Sequence, residues 1–296
     1  MDMEKNNKIR KYIKGYLFIL PNFIGFFVFM ALPIIMGLVI SFTDYNGFSQ
    51  FNFVGLKNYI NMFHDEYFTV SMKNNLLYTL VTVPGTIVFA LLLAVGVNKG
   101  IKGSGLFKTM FFLPNISSMV AVGIVWAMIF NPTQGPLNQV LMALGIANPP
   151  QWLSSTKTAL GSVMVVAIWK QAGYYMIIIL AGLQSIPSQL YEAASIDGAN
   201  SVEKFFKITL PMLSPTMFMV TILSIINSFQ VFDLVNIMTQ GGPGRSTNVL
   251  VYRIYQEGFQ KLQFGYASAM AYFLFIIIMV ITLIQFRGQK KWVNYM

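Results

Sequence analysis

Polar side chains interrupt two otherwise apolar stretches of this 296-residue sequence. The interrupting residues and their aromatic neighbours are Trp169, Lys170, Gln171, Tyr174 and Tyr175 in the first stretch, and Asn227, Ser228, Gln230 and Asp233 in the second. Amides and carboxylates hydrogen-bond to hydroxyl groups, whereas aromatic rings pack against flat C–H faces. The two stretches together therefore carry residue types that can bind a solute with both hydroxyl groups and flat apolar faces.

We single out five candidate ligand-contacting residues: Gln171, Tyr174, Asn227, Gln230 and Asp233. The last three follow one another at intervals of three residues, which predicts that they lie near one face of a helix. Two alternatives remain open. The polar groups can hold neighbouring helices together by hydrogen bonds, and Lys170 can form a buried ion pair with Asp233.

The other titratable residues do not form a catalytic or metal-binding pattern. The chain has one histidine, His64, and no cysteine, which argues against a zinc site and a thiol nucleophile. Asp65 and Glu66 beside it are expected to belong to a solvated turn. The sequence has no Gly-x-x-x-x-Gly-Lys phosphate-binding loop, so ATP hydrolysis by that route is not expected in this chain. No catalytic residue, metal ligand or cofactor site is predicted.

The composition is that of a membrane protein. Hydrophobic residues make up 55% of the chain and charged residues 10%, whereas soluble domains carry roughly 25% charged residues. The apolar runs are long enough to cross a bilayer and are continuous rather than alternating, which indicates helices and not a barrel. The net charge of +10 comes from short basic clusters between these runs, which suggests topogenic charges and not a nucleic-acid partner. The predicted fold is an all-α polytopic membrane bundle.

Six stretches are long enough to span a membrane: 16–41, 75–97, 109–130, 159–183, 212–235 and 267–286. The first follows a basic N-terminal segment, but it is too long for the apolar core of a signal peptide and we expect it to be retained. The predicted organisation is an N-terminal tail over 1–15, a six-helix domain over 16–287 and a C-terminal tail over 288–296.

The distribution of lysine and arginine predicts the orientation. Basic residues concentrate in the N-terminal tail, in the loops around 99–108 and 204–207, and in the C-terminal tail. The positive-inside rule then places both termini in the cytoplasm. Three external loops result, over 43–73, 131–158 and 236–265, and these are candidate docking surfaces.

The internal segment 186–211 is too patterned to be a simple connector. The triplet Ile186-Pro187-Ser188 predicts a helix start, with Ser188 as a possible cap. The pair Asp197-Gly198 then predicts a turn, and Asn200 or Ser201 predicts the start of a second short helix.

This segment closely resembles the EAA loop of permease subunits of binding-protein-dependent ABC importers. The residues that carry the resemblance are Glu192, Ala193, Ala194, Asp197, Gly198, Ala199, Phe205 and Pro211. The resemblance implies that they contact an ATPase subunit. Small alanines suit a helix that seats closely in a partner's groove, and Gly198 permits a positive-φ turn. The alternative is an ordinary amphipathic loop that packs on its own bundle.

A second set of motifs resembles the carbohydrate-uptake group of these permeases, the maltose, glycerol-3-phosphate and multiple-sugar type. They are Phe18-Ile19-Leu20-Pro21, Phe42-Thr43-Asp44, Phe232-Asp233-Leu234 and Thr239-Gln240-Gly241-Gly242-Pro243. The large external domain and two additional N-terminal spans of the larger maltose permease are not found in this sequence. Fifth-span positions that correspond to Asn227, Gln230 and Asp233 line the sugar path in the family.

The resemblance implies a complex in a bacterial-type cytoplasmic membrane. Its other components are a second permease, two ATPase subunits that bind ATP and Mg, and an external solute-binding protein that delivers a carbohydrate. The alternative from another class is a secondary transporter driven by an ion gradient. Such proteins usually contain internal repeats with matching broken helices, and the sequence shows no convincing symmetry between its halves.

Overall fold

The computed structural model describes residues 2–48, 51–98, 103–291 and 293. In this part of the chain the secondary structure is helical, apart from one isolated bridge between Thr43 and Phe53. The helices are α1 (Asp2–Phe26), α2 (Leu32–Ser41), α3 (Lys57–His64), α4 (Glu66–Asn98), α5 (Ser104–Ile116), α6 (Met119–Ile129), α7 (Pro136–Ala143), α8 (Ala159–Gln184), α9 (Ser188–Ile196), α10 (Ser201–Lys204), α11 (Leu210–Met212), α12 (Ser214–Phe229), α13 (Asp233–Met238), α14 (Leu250–Tyr255) and α15 (Phe264–Gly288). Short π-helical turns join α1 to α2 and α10 to α11, and a third such turn follows α14. The all-α prediction is confirmed.

Four helical segments are long and apolar enough to cross a membrane: Lys14–Ser41, Glu66–Asn98, Ala159–Gln184 and Phe264–Gly288. Two bent pairs complete the set, so the described residues provide up to six spans. The prediction of about six spans is therefore confirmed.

The third and fifth spans are broken rather than straight. The third consists of α5 and α6, which meet at 97°. The fifth is α12, which meets the preceding segment Ser201–Met212 at 65° and is followed by α13 after a second interruption at residues 230–232. Ser117 and Ser118 adopt extended backbone conformations between α5 and α6. The sequence predicted continuous spans over 109–130 and 212–235 because these two stretches remain apolar across the interruptions at 117–118 and 230–232.

Contacts between residues divide the chain into two compact units. The first contains the residues up to Met62 together with Gln256–Tyr272. Its centre is the amide of Asn58, which donates hydrogen bonds to the carbonyl oxygens of Ser41 (2.9 Å) and Thr43 (2.8 Å). Gly265 lies so close to this turn that an added Cβ would be 2.0 Å from the Thr43 oxygen. A side chain at residue 265 would therefore displace the start of α15 from the end of α2.

The second unit contains Phe63–Tyr255 and the residues from Phe273 onward. Helix α8 is its central element, since 61% of its most apolar window is buried, against 33% for α4. Small residues allow the helices to approach closely, as is common in membrane bundles. A Cβ on Gly85 would meet Ile168 at 2.8 Å, and one on Gly182 would meet Thr216 at 2.5 Å. The packing of α4, α5 and α12 on α8 positions the polar residues described below.

Candidate functional site: a polar cavity and an exposed helical turn

A cavity of about 300 Å³ lies where the broken third and fifth spans pass α4 and α8. Its lining residues are Tyr78, Asn115, Met119, Gln171, Asn227, Gln230, Val231, Phe232, Asp233 and Leu234. The lining combines amides, a carboxylate, a phenol and apolar side chains. Irregular backbone at membrane depth is tolerated where it lines a cavity, and both broken spans fit that rule. The cavity therefore provides hydrogen-bonding groups for a polar solute within an apolar bundle.

Four of the five predicted ligand-contacting residues line this one cavity: Gln171, Asn227, Gln230 and Asp233. Tyr174 lies outside the lining, with a side chain that is 38% exposed and a ring centroid 5.3 Å from that of Tyr175. The structure thus brings together residues from α8 and from the end of the fifth span, while the contact predicted for Tyr174 stays a prediction.

The prediction that Asn227, Gln230 and Asp233 share the face of one helix is wrong. Helix α12 ends at Phe229, and Gln230 is its C-terminal cap. Asp233 begins the separate helix α13. Phe232 interrupts the helix with a φ of −140° and packs its ring 5.2 Å from that of Tyr255. These residues meet at the cavity because the chain turns between two helices and not because of helical periodicity.

The amides of Asn227 and Gln230 have different surroundings. Asn227 Nδ2 donates a hydrogen bond to Tyr175 Oη at 3.0 Å, and thereby joins α12 to α8. The side chain of Gln230 makes no hydrogen bond within the described part of the chain and is exposed at the cavity. Asn227 therefore links two helices by a hydrogen bond, which is the alternative to ligand binding considered from the sequence. Gln230, by contrast, is available to a ligand.

Lys170 does not pair with Asp233. Its side chain is 4% exposed, and its ammonium donates to the backbone oxygens of Pro114 (2.6 Å), Asn115 (3.2 Å) and Ser117 (2.8 Å). These carbonyls belong to the end of α5 and the break that follows. A cation is favourable there because the carbonyl end of a helix carries partial negative charge. The ion pair considered from the sequence is thus replaced by a helix cap.

Asn115 is a cavity residue that sequence analysis did not single out. It follows Pro114 in the last turn of α5, inside an apolar stretch. The sequence signal that could have found it is the rule already applied to Gln171 and Asn227, namely that polar residues at membrane depth are functional candidates.

The segment 186–211 is an exposed helix, turn and second helix. Helix α9 begins at Ser188 with Pro187 as its N-cap residue, so the expected cap by Ser188 is wrong. Asp197 is the C-cap of α9, and Gly198 follows at a φ of +80° with open space around it. Only glycine adopts this left-handed conformation without strain. The turn predicted at Asp197-Gly198 is therefore confirmed.

Asn200 begins the second helix with a capping box. Its side-chain oxygen accepts from the backbone amides of Val202 and Glu203, and Glu203 Oε2 accepts from the Asn200 amide at 3.0 Å. This backbone hydrogen bond, followed by the contact with Lys207, lowers the pKa of the Glu203 carboxyl below its ordinary value. Asn200 is one of the two N-cap alternatives that the sequence offered, whereas the reciprocal hydrogen bond to Glu203 was not predicted.

Two side-chain contacts connect the halves of the segment. Lys204 Nζ donates to Ser195 Oγ at 2.6 Å. The hydroxyls of Tyr191 and Thr209 are 2.9 Å apart. Tyr191 and Thr209 also line a groove of about 510 Å³, where the segment meets the ends of α4 and α8. The segment therefore adjoins the ends of α4 and α8.

The predicted ATPase-contacting residues surround this turn. Glu192, Ala193, Asp197 and Gly198 are exposed, and Ala194, Ala199, Phe205 and the end of the segment near Pro211 are half-buried. Ile196 is 87% exposed, and Val202 and Phe206 are also exposed. Neither Glu192 nor Asp197 forms an ion pair with another described residue. The surface presents apolar side chains and two carboxylates to a partner.

Asp65 and Glu66 are ion-paired rather than members of a free solvated turn. Asp65 Oδ2 accepts from Arg253 at 3.0 Å, and Glu66 Oε2 lies 3.3 Å from Arg245. Both guanidinium groups also lie over the ring of Tyr67, at 3.6 Å for Arg245 and 4.6 Å for Arg253. These contacts fasten α14 and the segment before it to the start of α4.

The spans, the cavity between broken helices and the exposed turn together define a multi-pass transport protein. Comparison with known families then identifies it: residues 86–291 match the family described as "Binding-protein-dependent transport system inner membrane component", and the chain belongs to this family. It is a permease subunit of a binding-protein-dependent ABC importer.

Relatives of similar length agree with this assignment. The chain is 41% identical to the probable ABC transporter permease protein YesP of Bacillus subtilis, over 99% of this chain and 96% of YesP. It is 34% identical to the sn-glycerol-3-phosphate transport system permease protein UgpA of Agrobacterium fabrum, over 96% and 97% of the two chains. A solved bacterial alginate ABC transporter, in complex with an alginate pentasaccharide-bound periplasmic protein, matches with a TM-score of 0.85, 25% identity and 96% coverage of both chains.

Proposed function

We propose that this chain is the carbohydrate-conducting permease subunit of an ATP-driven importer, and that it forms half of the sugar path in a bacterial-type cytoplasmic membrane. The observation that carries the proposal is the polar cavity at the two broken spans, with the amides of Gln171 and Gln230 and the carboxylate of Asp233 in its lining. The name of UgpA refers to sn-glycerol-3-phosphate, a phosphorylated polyol, and that of the alginate transporter to an acidic polysaccharide, so both support a hydroxyl-rich substrate of the carbohydrate type.

The cavity suits a substrate that must lose water on its way through. A buried polar group without a partner costs free energy, so side-chain amides and carboxylates that replace water lower the barrier for sugar hydroxyls. Gln230 is the group that we expect to contact sugar directly, since it makes no other hydrogen bond within the described residues. Asn227, Gln171 and Asp233 complete the polar wall.

Coupling to ATP takes place at the turn between α9 and α10. Glu192, Asp197 and the exposed Ile196 form the surface that docks on an ATPase subunit. Two such subunits bind ATP and Mg, and this chain hydrolyses no nucleotide itself. When the ATPases close, they move the turn, and the contacts of Tyr191 and Lys204 transmit the movement to the bundle.

The remaining partners follow from the same architecture. A second, homologous permease supplies the other half of the path, and a solute-binding protein docks on the external loops. The basic clusters place both termini, with the tails 1–15 and 288–296, in the cytoplasm. The six-span domain over 16–287 then has its coupling segment 186–211 on the cytoplasmic side.

The test compares two glycines of matched geometry. Gly198 and Gly145 both have a positive φ, +80° and +90°, and both have open space where a Cβ would lie. Gly198 is in the coupling turn, whereas Gly145 follows α7 in a predicted external loop. We would purify the intact chain, the Gly198→Asp variant and the Gly145→Asp variant from detergent-solubilised membranes and quantify the copurifying subunits.

We expect the intact chain and Gly145→Asp to retain an ATPase and a second permease. Gly198→Asp should lose the ATPase selectively, because a strained, charged turn no longer fits its docking groove. An intact chain that purifies alone and moves solute into liposomes without ATP would instead establish a secondary transporter.

A further inference from the structure

Lys170 is an ammonium group enclosed within the bundle, and no carboxylate of the described residues forms an ion pair with it. Its side chain is 4% exposed, and its hydrogen bonds are made to three main-chain oxygens, those of Pro114, Asn115 and Ser117. A charged side chain at membrane depth is expensive unless its environment compensates it. A side chain that served only to pack the bundle would not need a positive charge. The hydrogen bonds of the Lys170 ammonium therefore have a specific role.

The three oxygens surround the break of the third span. Helix α5 ends at Ile116, and its last carbonyls have no partner in the next turn because α6 leaves at 97°. In an apolar bundle such carbonyls favour continuation of the helix, which would satisfy them within the span. The ammonium of Lys170 satisfies them in the broken form instead. It therefore stabilises the bend relative to a straight helix.

Gly173 holds α5 against the same stretch of α8. It lies one turn after Lys170, and an added Cβ would be 1.8 Å from the Phe111 oxygen and 2.4 Å from its carbonyl carbon. The main chains of α5 and α8 are thus in direct contact one turn before the break. The glycine fixes the distance between the helices, and the lysine fixes the direction of the chain beyond it.

Asn115 connects this arrangement to the cavity. Its backbone oxygen accepts from Lys170, while the residue itself lines the cavity together with Gln171 of α8 and Met119 of α6. In a straight third span the α5–α6 wall of the cavity, with Asn115 at the end of α5 and Met119 at the start of α6, would be lost.

We propose that Lys170 is a positioning residue of the translocation site, which together with Gly173 keeps the third span bent so that Asn115 faces the substrate cavity. The consequence for transport rests on the proposed sugar path. The bend itself is a property of the chain and can be tested without any substrate.

The absence of cysteine from the sequence makes the test direct. Single cysteines are introduced as Asn115→Cys, and as Gln230→Cys for the cavity wall that Lys170 does not touch. Each is placed in four backgrounds of the assembled complex: Lys170→Met, Gly173→Ala, and the controls Lys157→Met and Gly161→Ala. Lys157 is an exposed lysine, and Gly161 is a glycine of the same helix with open space around it. The rate of reaction with a small water-soluble thiol reagent is measured in nanodiscs.

In both Lys170→Met and Gly173→Ala, the cysteine at 115 should react about tenfold more slowly, which corresponds to loss of one buried hydrogen-bonded contact. The cysteine at 230 should react at its usual rate, and neither control should change either rate. Unchanged labelling at 115 in both variants overturns the proposal. Equal slowing at 115 and 230 overturns it as well, since it would show a general loosening of the bundle.

Transport measurements separate this proposal from the proposed function. If both hold, Lys170→Met raises the KM for sugar uptake, whereas the control Lys157→Met leaves it unchanged. Slow labelling at 115 with an unchanged KM would leave the bend established but show that this cavity is not the sugar site.

Discussion

The side chain of Gln230 provides the sharpest residue-level test of whether sugar binds in the cavity. Because it makes no hydrogen bond within the described residues, Gln230→Ala removes a cavity-facing amide without breaking an internal contact. We expect the KM for uptake to rise about fivefold, the equivalent of roughly one hydrogen bond. Uptake assays at matched membrane levels of the protein would measure it.

Asn236→Ala, a polar truncation in α13 outside the cavity lining, is the matched control and should leave the KM unchanged. Asn227→Ala is less informative, since it also breaks the hydrogen bond to Tyr175. If Gln230→Ala transports with normal KM and normal substrate preference, the cavity is not where sugar binds.

The two arginines over Tyr67 differ in burial, and this difference predicts their contributions to stability. In the pair of Arg253 with Asp65 the side chains are 6% and 18% exposed, whereas Glu66, the partner of Arg245, is 79% exposed. Removal of one member of a buried pair leaves an uncompensated charge and costs about 3 kcal/mol. An exposed pair contributes at most about 1 kcal/mol.

We therefore expect Arg253→Met to lower the thermal unfolding midpoint in detergent much more than Arg245→Met. Scanning fluorimetry of the two purified variants would measure the difference. Equal shifts would mean that contact with the Tyr67 ring, and not burial of the ion pair, determines the contribution.

At the scale of elements, the capping box at Asn200 determines how firmly the coupling turn is held. The Asn200→Ala variant loses the acceptor for two backbone amides, so protection of amides 201–204 from hydrogen exchange should fall roughly fivefold. Asn200→Asp retains an acceptor oxygen and serves as the control. Exchange measured by mass spectrometry would show whether the loss is confined to these residues.

The same box has a predictable pH dependence. The pKa of Glu203 is lowered from an ordinary value of 4.5 by its hydrogen bond from the Asn200 amide. A carboxyl whose pKa is lowered in the folded state stabilises it fully above the ordinary value, and this stabilisation is lost as the pH falls through the lowered value. Protection of 201–204, corrected for intrinsic exchange, should therefore decrease only below pH 4.5. In Glu203→Gln it should not change with pH over that range.

The broken spans show how elements acquire a function that their composition does not specify. The break at residues 117–118 is stabilised from α8 by Lys170, and the break at 230–232 by packing of Phe232 on α14. Each break converts a membrane helix into a wall of the cavity. Each wall needs two elements that are distant in sequence. A local sequence pattern therefore does not predict where a span breaks.

At the scale of the whole molecule, the distribution of lysine and arginine predicts how the chain is oriented in the membrane. A cysteine at Gly198 should react with a membrane-impermeant reagent only from the cytoplasmic side, and one at Gly145 only from the external side. Both positions have open space around them, and no native cysteine competes. Labelling in intact cells and in inverted vesicles would measure this, and reaction of both cysteines from the same side would contradict the predicted topology.

The first span is unlike the others in that none of its apolar window is buried within the described part of the chain. Its phenylalanines at 18, 29 and 27 are all exposed. In the second unit, by contrast, α8 is enclosed by its neighbours. An apolar helix that is exposed along most of its length requires lipid or another protein around it, which agrees with a chain that functions within a larger membrane assembly.

The sequence by itself determined the class of molecule, because the physics involved is local. A run of apolar residues of sufficient length must be helical in a bilayer, and the Asp197-Gly198 turn requires only that a glycine adopt a positive φ. The same holds for the start of the second short helix, which the sequence narrowed to a cap at Asn200 or Ser201. The family resemblance rested on such local motifs and was confirmed by the comparisons.

Only the tertiary structure decided the geometry of the cavity. Lys170 and the oxygens it binds are separated by more than 50 residues, and nothing in either stretch specifies the other. The break after Phe229 depends on Phe232 meeting a tyrosine of α14, and the pairing of Asp65 depends on Arg253. Hydropathy reports how much a residue prefers lipid to water. It does not report which distant group will satisfy a carbonyl or a charge, so these contacts follow from the packing of the folded chain.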